Sequence, residues 1–373
     1  MATSAARVNP LRRTLQIAAC VLLGAAAACH KASGPPPPPL IVVVPKGLTH
    51  EYWRTIRVGA SDEAKTRGLD LAWPSDFREN DLEAQWNVID QARQLAASQH
   101  RRWGVALAPV EKRALVDLVN DLQASGVPVV IFDSELDGNE FLAFFSTNNE
   151  QAGRAAAEAL AKQMGDRGNV ALLRLNPVSD STKERERGFL EAIAQHPGIQ
   201  VVSKDHYGGA LLEGGYRQGL ALLREIRSRN VQLDAVFCPN ESTTLGMLRA
   251  IQGERLIGKV KIAGFDRTNR LVSALWGGTI SVLVVQDPYE IGRHSVNRLA
   301  DYFEDPARGL TGTRTYVDFR VVVRDDLIKA SEFARSIGYK GPVGPSLASL
   351  LPPGATNARE LLRLLYPKVA IQH

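Results

Sequence analysis

The chain has 373 residues, of which 45% are hydrophobic and 23% are charged. This composition is typical of a globular protein and excludes a fully disordered or collagen-like chain. The formal net charge is +5, but Arg7, Arg12 and Arg13 lie in the first 28 residues, which contain no acid. The remaining chain has 42 basic and 40 acidic residues, so it lacks the strong positive field that attracts nucleic acids. We therefore expect no nucleic-acid partner.

Residues 1–28 have the pattern of a secretory signal peptide. A basic segment precedes an apolar stretch at 15–28, which is shorter than the roughly 20 residues that span a bilayer. Four alanines end this stretch, and Cys29 follows them at once. The arrangement resembles a bacterial lipobox, although Ala26 stands where leucine is usual. We expect a periplasmic or cell-envelope protein anchored by lipid on Cys29; the alternative is a plain signal peptide with a bystander cysteine.

Five consecutive prolines occupy residues 35–39. Such a run favours a stiff, extended polyproline segment without internal hydrogen bonds. We interpret residues 29–39 as a linker between the lipid anchor and a folded body.

From residue 40 the hydrophobic pattern alternates between strands and helices, beginning with a β-branched run typical of a strand buried on both faces. Strands are predicted at 40–44, 69–73, 103–108, 127–132, 142–146, 169–175, 199–204, 234–237, 260–263 and 280–285, with a last extended run at 316–323. Helices are predicted at 51–66, 81–98, 111–124, 149–164, 181–195, 212–228, 241–252, 268–276 and 288–303. A linker rich in Gly, Pro and Ser at 340–355 and a short helix at 357–366 complete the chain.

Strands separated by helices indicate parallel sheets with right-handed crossovers. There are too many strands for one comfortable sheet, so we predict an α/β protein with two doubly wound parallel-sheet lobes. In such sheets ligands bind beyond the carboxyl ends of the strands. The residues at these ends are Lys46, Asp133, Asn176, Asn240, Asp266 and Gln286.

Several catalytic and nucleotide-binding motifs are absent from the sequence. It contains no GxSxG, HExxH or CxxC, and its histidines share no metal-ligand spacing, so we expect neither a metal nor a cofactor. Residues 253–259 match the start of a phosphate-binding loop, but Val260 replaces the required Ser or Thr, and the segment leads from a helix into a strand. Asp133 and Asp266 could act as the paired carboxylates of a glycoside hydrolase. We expect no enzyme, because the ligand-type residues around them suit static hydrogen bonding.

Six short motifs lie at predicted strand ends and helix starts, in a characteristic order along the chain. They are His50-Glu51-Tyr52-Trp53 with Gly59-Ala60, the strand 129–132 with Asp133 and Ser134, Arg185-Glu186-Arg187-Gly188-Phe189, the segment 237–241 ending in Asn240-Glu241, Gly264-Phe265-Asp266, and Gln286 before Pro288 and Gly292. With these motifs and their spacing, the body from about residue 40 to about 325 resembles the periplasmic sugar-binding proteins of the ribose-binding type. These proteins are the solute receptors of ABC importers.

The resemblance implies the type I periplasmic-binding-protein fold, in which two α/β lobes are joined by three crossing segments. Here the crossings are expected near Ser146–Asn148, Gln286–Asp287 and Asp318–Arg320. The first lobe would combine residues 40–146 and 288–318, and the second would combine 147–286 and 319–338. Residues 339–373 would be a C-terminal extension, and the protein is expected to be a monomer.

The resemblance also implies a sugar site between the lobes. Charged groups bind hydroxyls through charge-assisted hydrogen bonds, amides offer both a donor and an acceptor, and aromatic rings can stack on the apolar face of a sugar. The expected ligand-binding residues are Lys46, His50, Tyr52, Trp53, Asp133, Arg185, Tyr207, Asn240, Asp266 and Gln286.

Each of these residue types also has a purely structural interpretation. Asp133, Asp266 and Asn240 could cap helices, Arg185 could form a surface ion pair with a neighbouring glutamate, and Tyr52 and Trp53 could be core residues. For Lys46 the sequence leaves two roles open. It could favour an anionic ligand such as a sugar acid or sugar phosphate, or it could pair with Asp133.

The function that follows is capture of a sugar or sugar-like ligand between the lobes and its delivery to an ABC-type permease. One alternative is a sensory receptor for a sugar-like signal such as autoinducer-2, and another is the glycoside hydrolase. A repressor of the lactose-repressor type shares this body, but it needs an N-terminal helix-turn-helix where this sequence has a leader and prolines.

Overall fold

The computed structural model describes residues 36–309 and 312–336. The predicted signal peptide, the predicted lipidation site at Cys29, the linker predicted at 340–355 and the helix predicted at 357–366 lie outside the described residues. Within the described part the chain builds two six-stranded sheets, each covered by helices on both faces. The predicted α/β architecture with two lobes is confirmed.

The first sheet has the strand order β11-β5-β4-β3-β1-β2, and all of its strands are parallel. Its strands are β1 (Leu40–Val44), β2 (Asp70–Ala72), β3 (Trp103–Leu107), β4 (Val129–Phe132), β5 (Ala143–Thr147) and β11 (Thr313–Val317). The helices that cover it are α1 (Glu51–Thr66), α2 (Leu82–Ser98), α3 (Val116–Ala124) and α9 (Pro288–Glu304). The two apolar clusters on its faces are the core of the first lobe.

The second sheet has the order β12-β10-β9-β8-β6-β7, in which only the edge strand β12 is antiparallel to its neighbour. Its strands are β6 (Gly168–Arg174), β7 (Ile199–Tyr207), β8 (Ala235–Phe237), β9 (Lys261–Phe265), β10 (Val282–Gln286) and β12 (Phe319–Val323). Its helices are α4 (Asn149–Met164), α5 (Asp180–Ile193), α6 (Leu212–Ser228), α7 (Glu241–Gly253), α8 (Asn269–Trp276) and α10 (Arg324–Ser336).

The chain passes from one sheet to the other three times. It crosses between β5 and α4, between β10 and α9, and between β11 and β12, where Asp318 alone separates the two strands. The predicted extended run at 316–323 is therefore two strands in two different sheets. The sequence predicts extended backbone over the whole run. It does not predict the change of sheet, because that depends on which strand each half pairs with in the folded protein.

Two further differences concern helices. The predicted helix at 111–124 begins only at Val116, because the Lys112 carbonyl accepts a hydrogen bond from the Asp137 amide at 2.9 Å and is not available to a helical turn. Lys112 also pairs with Glu135 at 2.9 Å, which holds this segment on the loop after β4. Helix α10 was not predicted from the sequence.

Candidate functional site

A cavity lies beyond the carboxyl ends of strands from both sheets. It is lined by Lys46, His50, Tyr52, Trp53, Glu79, Asn80 and Asp133 from the first lobe, by Leu175, Ser179, Ser181, Thr182, Arg185, Ala210, Asn240 and Asp266 from the second, and by Gln286 at a crossing. The structure thus brings together nine of the ten predicted ligand-binding residues. It leaves Tyr207 outside.

Asp133 is the centre of the first-lobe wall. Its Oδ2 lies 2.7 Å from Lys46 Nζ, and its Oδ1 accepts a hydrogen bond from the Tyr52 hydroxyl at 2.8 Å. Burial alone would raise the pKa of Asp133, but Lys46, then Arg185 and the Tyr52 hydroxyl, lower that pKa below its ordinary value. Burial, and after it the Asp133 charge, raise the pKa of Tyr52 well above its ordinary value. Asp133 is therefore an ionised hydrogen-bond acceptor. Of the two roles that the sequence left open for Lys46, the structure shows the ion pair with Asp133.

Asp266 has the corresponding position in the second lobe. Its Oδ2 accepts from the Glu241 amide at 2.8 Å, and its Oδ1 accepts from Gln286 Nε2 at 2.5 Å. Gln286 in turn accepts at Oε1 from the Thr147 hydroxyl at 2.7 Å. Since Thr147 ends β5 and Gln286 ends β10, this chain of bonds joins two of the three crossings to a cavity carboxylate.

Arg185 is buried, with 3% of its surface exposed, so the surface ion pair is not its role. Its Nε donates to Asn149 Oδ1 and its Nη1 donates to the Pro239 carbonyl, both at 2.8 Å. The guanidinium lies over the Phe265 ring, 4.5 Å from the centroid. These contacts hold a cation at the cavity wall, and Nη2 is the guanidinium nitrogen that the two hydrogen bonds do not use.

Asn240 caps a helix and also lines the cavity. It is the N-cap of α7, where its Oδ1 accepts from the Thr243 amide at 3.3 Å and from the Thr243 hydroxyl at 2.7 Å. Its Nδ2 donates to Ser242 Oγ at 3.0 Å, and the side chain also lines the cavity. The capping bonds fix its rotamer, so the amide is held in place before any ligand arrives.

The aromatic wall comes from the first turn of α1. Tyr52 and Trp53 meet edge to face with ring centroids 4.9 Å apart, and both belong to the core of the first lobe while lining the cavity. The indole Nε1 of Trp53 is buried and has no hydrogen-bond partner among the residues that the structure describes. His50, just before the helix, bonds through Nε2 to the Ala210 carbonyl of the second lobe at 2.8 Å.

Tyr207 is the predicted ligand-binding residue that does not line the cavity. It ends β7, the edge strand of the second sheet, and its side chain is exposed. The ring packs under Arg174, 4.9 Å from the guanidinium carbon, and its hydroxyl accepts from Arg174 Nη1 at 2.7 Å. The edge position takes the side chain away from the central strands whose ends form the cavity.

The sequence analysis missed seven lining residues, which are Glu79, Asn80, Leu175, Ser179, Ser181, Thr182 and Ala210. A signal existed for the Ser and Thr residues, because they lie at the start of α5 directly after the strand-end residue Asn176. Asn176 itself does not line the cavity. Its Oδ1 accepts a hydrogen bond from the Ser179 amide at 2.8 Å, which stabilises the turn before α5. Glu79 had no such signal. It reaches the site from an irregular loop and accepts from the Thr49 amide at 2.7 Å.

Within residues 36–309 and 312–336, no three His, Cys, Asp or Glu side chains are grouped so that they could hold a metal ion. Over the same range, none of the helices combines the length and the apolar character needed to cross a membrane.

Comparison with known proteins defines the class to which this fold and site belong. Residues 41–305 match the family described as the periplasmic binding protein domain, and the chain belongs to that family. The predicted resemblance is confirmed. The family consists of solute-binding proteins rather than enzymes.

Individual relatives cover most of this chain. It is 24% identical over 266 residues to the D-allose-binding periplasmic protein of Escherichia coli, covering 69% of this chain and 82% of that protein. It is 26% identical over 247 residues to the ribose import binding protein of Bacillus subtilis, covering 66% and 75% of the two chains.

Solved structures show the same fold. The periplasmic component of an ABC-type sugar transport system from Hahella chejuensis is 32% identical, with a TM-score of 0.68 over 76% of this chain and 99% of that one. A carbohydrate transporter solute-binding protein from Agrobacterium radiobacter, solved in complex with D-arabinose, is 26% identical, with a TM-score of 0.70 over 81% and 99% of the two chains.

Proposed function

We propose that this protein captures a neutral monosaccharide between its two lobes and delivers it to the permease of an ABC importer. The observation that carries the proposal is the convergence of Asp133 from one lobe with Arg185, Asn240 and Asp266 from the other on a single cavity. These groups supply acceptors and donors in fixed positions, which is what a ring of hydroxyls requires. Relatives named for allose and ribose, and a neighbour solved with D-arabinose, support the ligand class.

The charges of the cavity favour a neutral sugar over a sugar acid or sugar phosphate. Lys46 is the cation that suggested an anionic ligand, but its charge is offset by Asp133 at 2.7 Å. The remaining lining charges are Arg185 against Asp266 and Glu79. An added anion would therefore meet no uncompensated positive charge.

The lobe boundaries are part of the proposal. We take the first lobe as residues 40–146 and 288–318 and the second as 147–286 and 319–338, which turn about the three crossings. Such a trap closes on its ligand because a ligand that contacts both lobes stabilises the closed form more than the open form.

The hydrolase alternative is not supported by the site. Hydrolysis of a glycoside needs one carboxylic acid that keeps its proton to protonate the leaving group. Asp133 is not that acid, since Lys46 keeps its pKa below the ordinary value. Both oxygens of Asp266 already accept hydrogen bonds from N–H donors, the Glu241 amide and Gln286 Nε2. Membership of a solute-binding family points the same way.

Titration calorimetry with D-ribose, D-allose, D-arabinose, D-gluconate and ribose 5-phosphate tests the proposal. We expect a neutral sugar to bind and the two anions not to bind. Asp266→Ala and Arg185→Ala should each weaken binding at least a hundredfold, because each leaves polar groups of the bound sugar unpaired. Arg249→Ala is the control, because that side chain is half exposed and pairs with Glu213 away from the cavity. Equal binding by wild type and the two cavity variants, or no binding of any neutral sugar, would falsify the trap.

We propose further that Cys29 carries a lipid that anchors the protein to a membrane of the cell envelope. The support is the basic and apolar leader that ends in four alanines directly before this cysteine. Labelling of growing cells with a radioactive fatty acid should mark the wild-type protein and not Cys29→Ser. Equal labelling of both proteins contradicts the assignment.

A further inference from the structure

Several bonds join the two lobes beside the sugar cavity without lining it. Arg267 Nη1 of the second lobe forms an ion pair with Glu51 Oε1 of the first lobe. Glu241 of the second lobe accepts through Oε2 from the backbone amide of the same Glu51, at 2.9 Å. Glu51 therefore bonds to the opposite lobe through both its side chain and its backbone. We call Glu51, Glu241 and Arg267 the clasp.

The clasp is partly shielded from water. The exposed fractions of the Glu51 and Arg267 side chains are 18% and 7%, and Glu241 is buried. A charge-assisted bond in such surroundings is stronger than a surface ion pair, whose contribution is small. Arg267 is also oriented from its own lobe, since its Nη2 donates to Asn269 Oδ1 at 2.8 Å. The clasp is thus a built contact rather than an incidental meeting of two surface chains.

Each clasp residue is next in the chain to a residue of the cavity wall. Glu51 lies between His50 and Tyr52, Glu241 follows Asn240, and Arg267 follows Asp266. No clasp residue lines the cavity itself. Because its bonds join opposite lobes, the clasp exists only while the lobes are together, and it acts on the cavity without touching the sugar.

From this geometry we infer that the clasp populates the closed arrangement independently of the sugar and thereby sets the affinity of the site. The apparent dissociation constant of a trap equals the intrinsic constant divided by the fraction of molecules in the competent form. Glu51, Glu241 and Arg267 are then positioning residues, and their loss weakens binding through the closed fraction alone. The effect on affinity rests on the trap proposed above, whereas the effect on closure does not.

Single-molecule fluorescence transfer in the absence of sugar tests the clasp separately from sugar binding. Dyes are placed through unnatural amino acids at the exposed positions Arg93 and Arg224, one on a helix of each lobe. We expect a measurable closed fraction in the wild type and at least a fivefold lower fraction in Arg267→Gln and in Glu51→Gln. The double variant should close no less than either single variant, because both changes break one ion pair.

Arg249→Gln is the matched control, since its ion pair with Glu213 lies within the second lobe and is exposed. It should leave the closed fraction unchanged. Glu51→Gln is the variant on the first lobe that keeps the test valid if Arg267→Gln does not fold. A wild type that shows no closed fraction without sugar, or clasp variants that close as often as the wild type, overturn the inference.

In calorimetry with D-ribose, clasp variants should bind about fivefold or more weakly, in proportion to their closed fractions. Unchanged affinity at a reduced closed fraction contradicts the link to binding.

Discussion

At the scale of single residues, the two aspartates that line the cavity share an unusual backbone conformation. Asp133 and Asp266 have φ values of 64° and 70°, in the left-handed region that few residues other than glycine adopt. The Asp133 amide donates to the Phe145 carbonyl and the Asp266 amide donates to the Val284 carbonyl, each at 2.9 Å, so the adjacent strand stabilises the turn. Neither residue caps a helix, since Asp133 precedes a strand and Thr268 caps α8. Strained backbone of this kind is concentrated at functional sites.

Glu241 makes stability depend on pH. Burial raises its pKa from the ordinary value of 4.5 to about 7; His50 opposes the rise, whereas Asp266 and Glu51 add to it. Because the folded pKa is higher than the unfolded one, the stabilising contribution is complete below pH 4.5 and is lost as the pH rises through about 7. We expect Glu241→Gln to gain on the order of 3 kcal/mol relative to wild type between pH 4.5 and pH 8.

Urea unfolding of wild type and Glu241→Gln at several pH values measures this difference. The variant keeps the size and shape of the side chain, so it isolates the proton from the packing. If both proteins show the same change in the free energy of unfolding over that range, Glu241 is not the group responsible.

At the scale of elements, each lobe contains helices that cross at glycines. In the second lobe, α4 and α5 meet at Gly153 and Gly188, where a Cβ atom would lie 2.0 Å from the Arg185 carbonyl oxygen and 2.1 Å from that of Glu150. In the first lobe, Gly59 of α1 and Gly292 of α9 face each other's backbone in the same way. The missing side chains let the helix backbones touch, which places Arg185 beside the cavity.

We expect Gly188→Ala to destabilise the protein by about 1–3 kcal/mol or more, because backbone cannot yield to the added methyl group as a flexible side chain would. Gly253→Ala is the control, since that glycine also lies in a helix and an added Cβ there meets nothing within 4 Å. The control should be unchanged or slightly stabilised, because alanine favours the helix. Unfolding in urea compares the two variants, and equal stability of Gly188→Ala and wild type contradicts the packing argument.

At the scale of the whole molecule, the two sheets have separate apolar cores, and polar residues fill the space between them. Each core consists of two clusters on opposite faces of one sheet, and no cluster combines strands of both sheets. The bonds between the lobes include those of Gln286, Lys46, His50 and the clasp. Ser134 and Ser181, from opposite lobes, add a hydroxyl contact of 3.1 Å. Such contacts can separate and become hydrated, whereas a shared apolar core could not open without exposing its surface to water.

The sequence alone determined most of the elements of this protein and the strand ends beside which the candidate site lies. Buried strands such as Leu40–Val44 are predictable because their pattern depends on near neighbours in the chain. Once the strands are predicted, Asp133, Asn240 and Asp266 are known to lie just beyond their carboxyl ends. The motif order then pointed to the family, although the sequence did not reveal which strand lies at a sheet edge.

Only the tertiary structure decided which side chains meet. It placed Tyr207 at an edge and outside the cavity, paired Lys46 with Asp133, and brought Glu79 to the wall from a loop without a motif. These outcomes depend on contacts between residues far apart in the chain, such as the 87 positions that separate Lys46 from Asp133. Local periodicity carries no information about such distances, because it is set by the hydrophobic pattern within single elements.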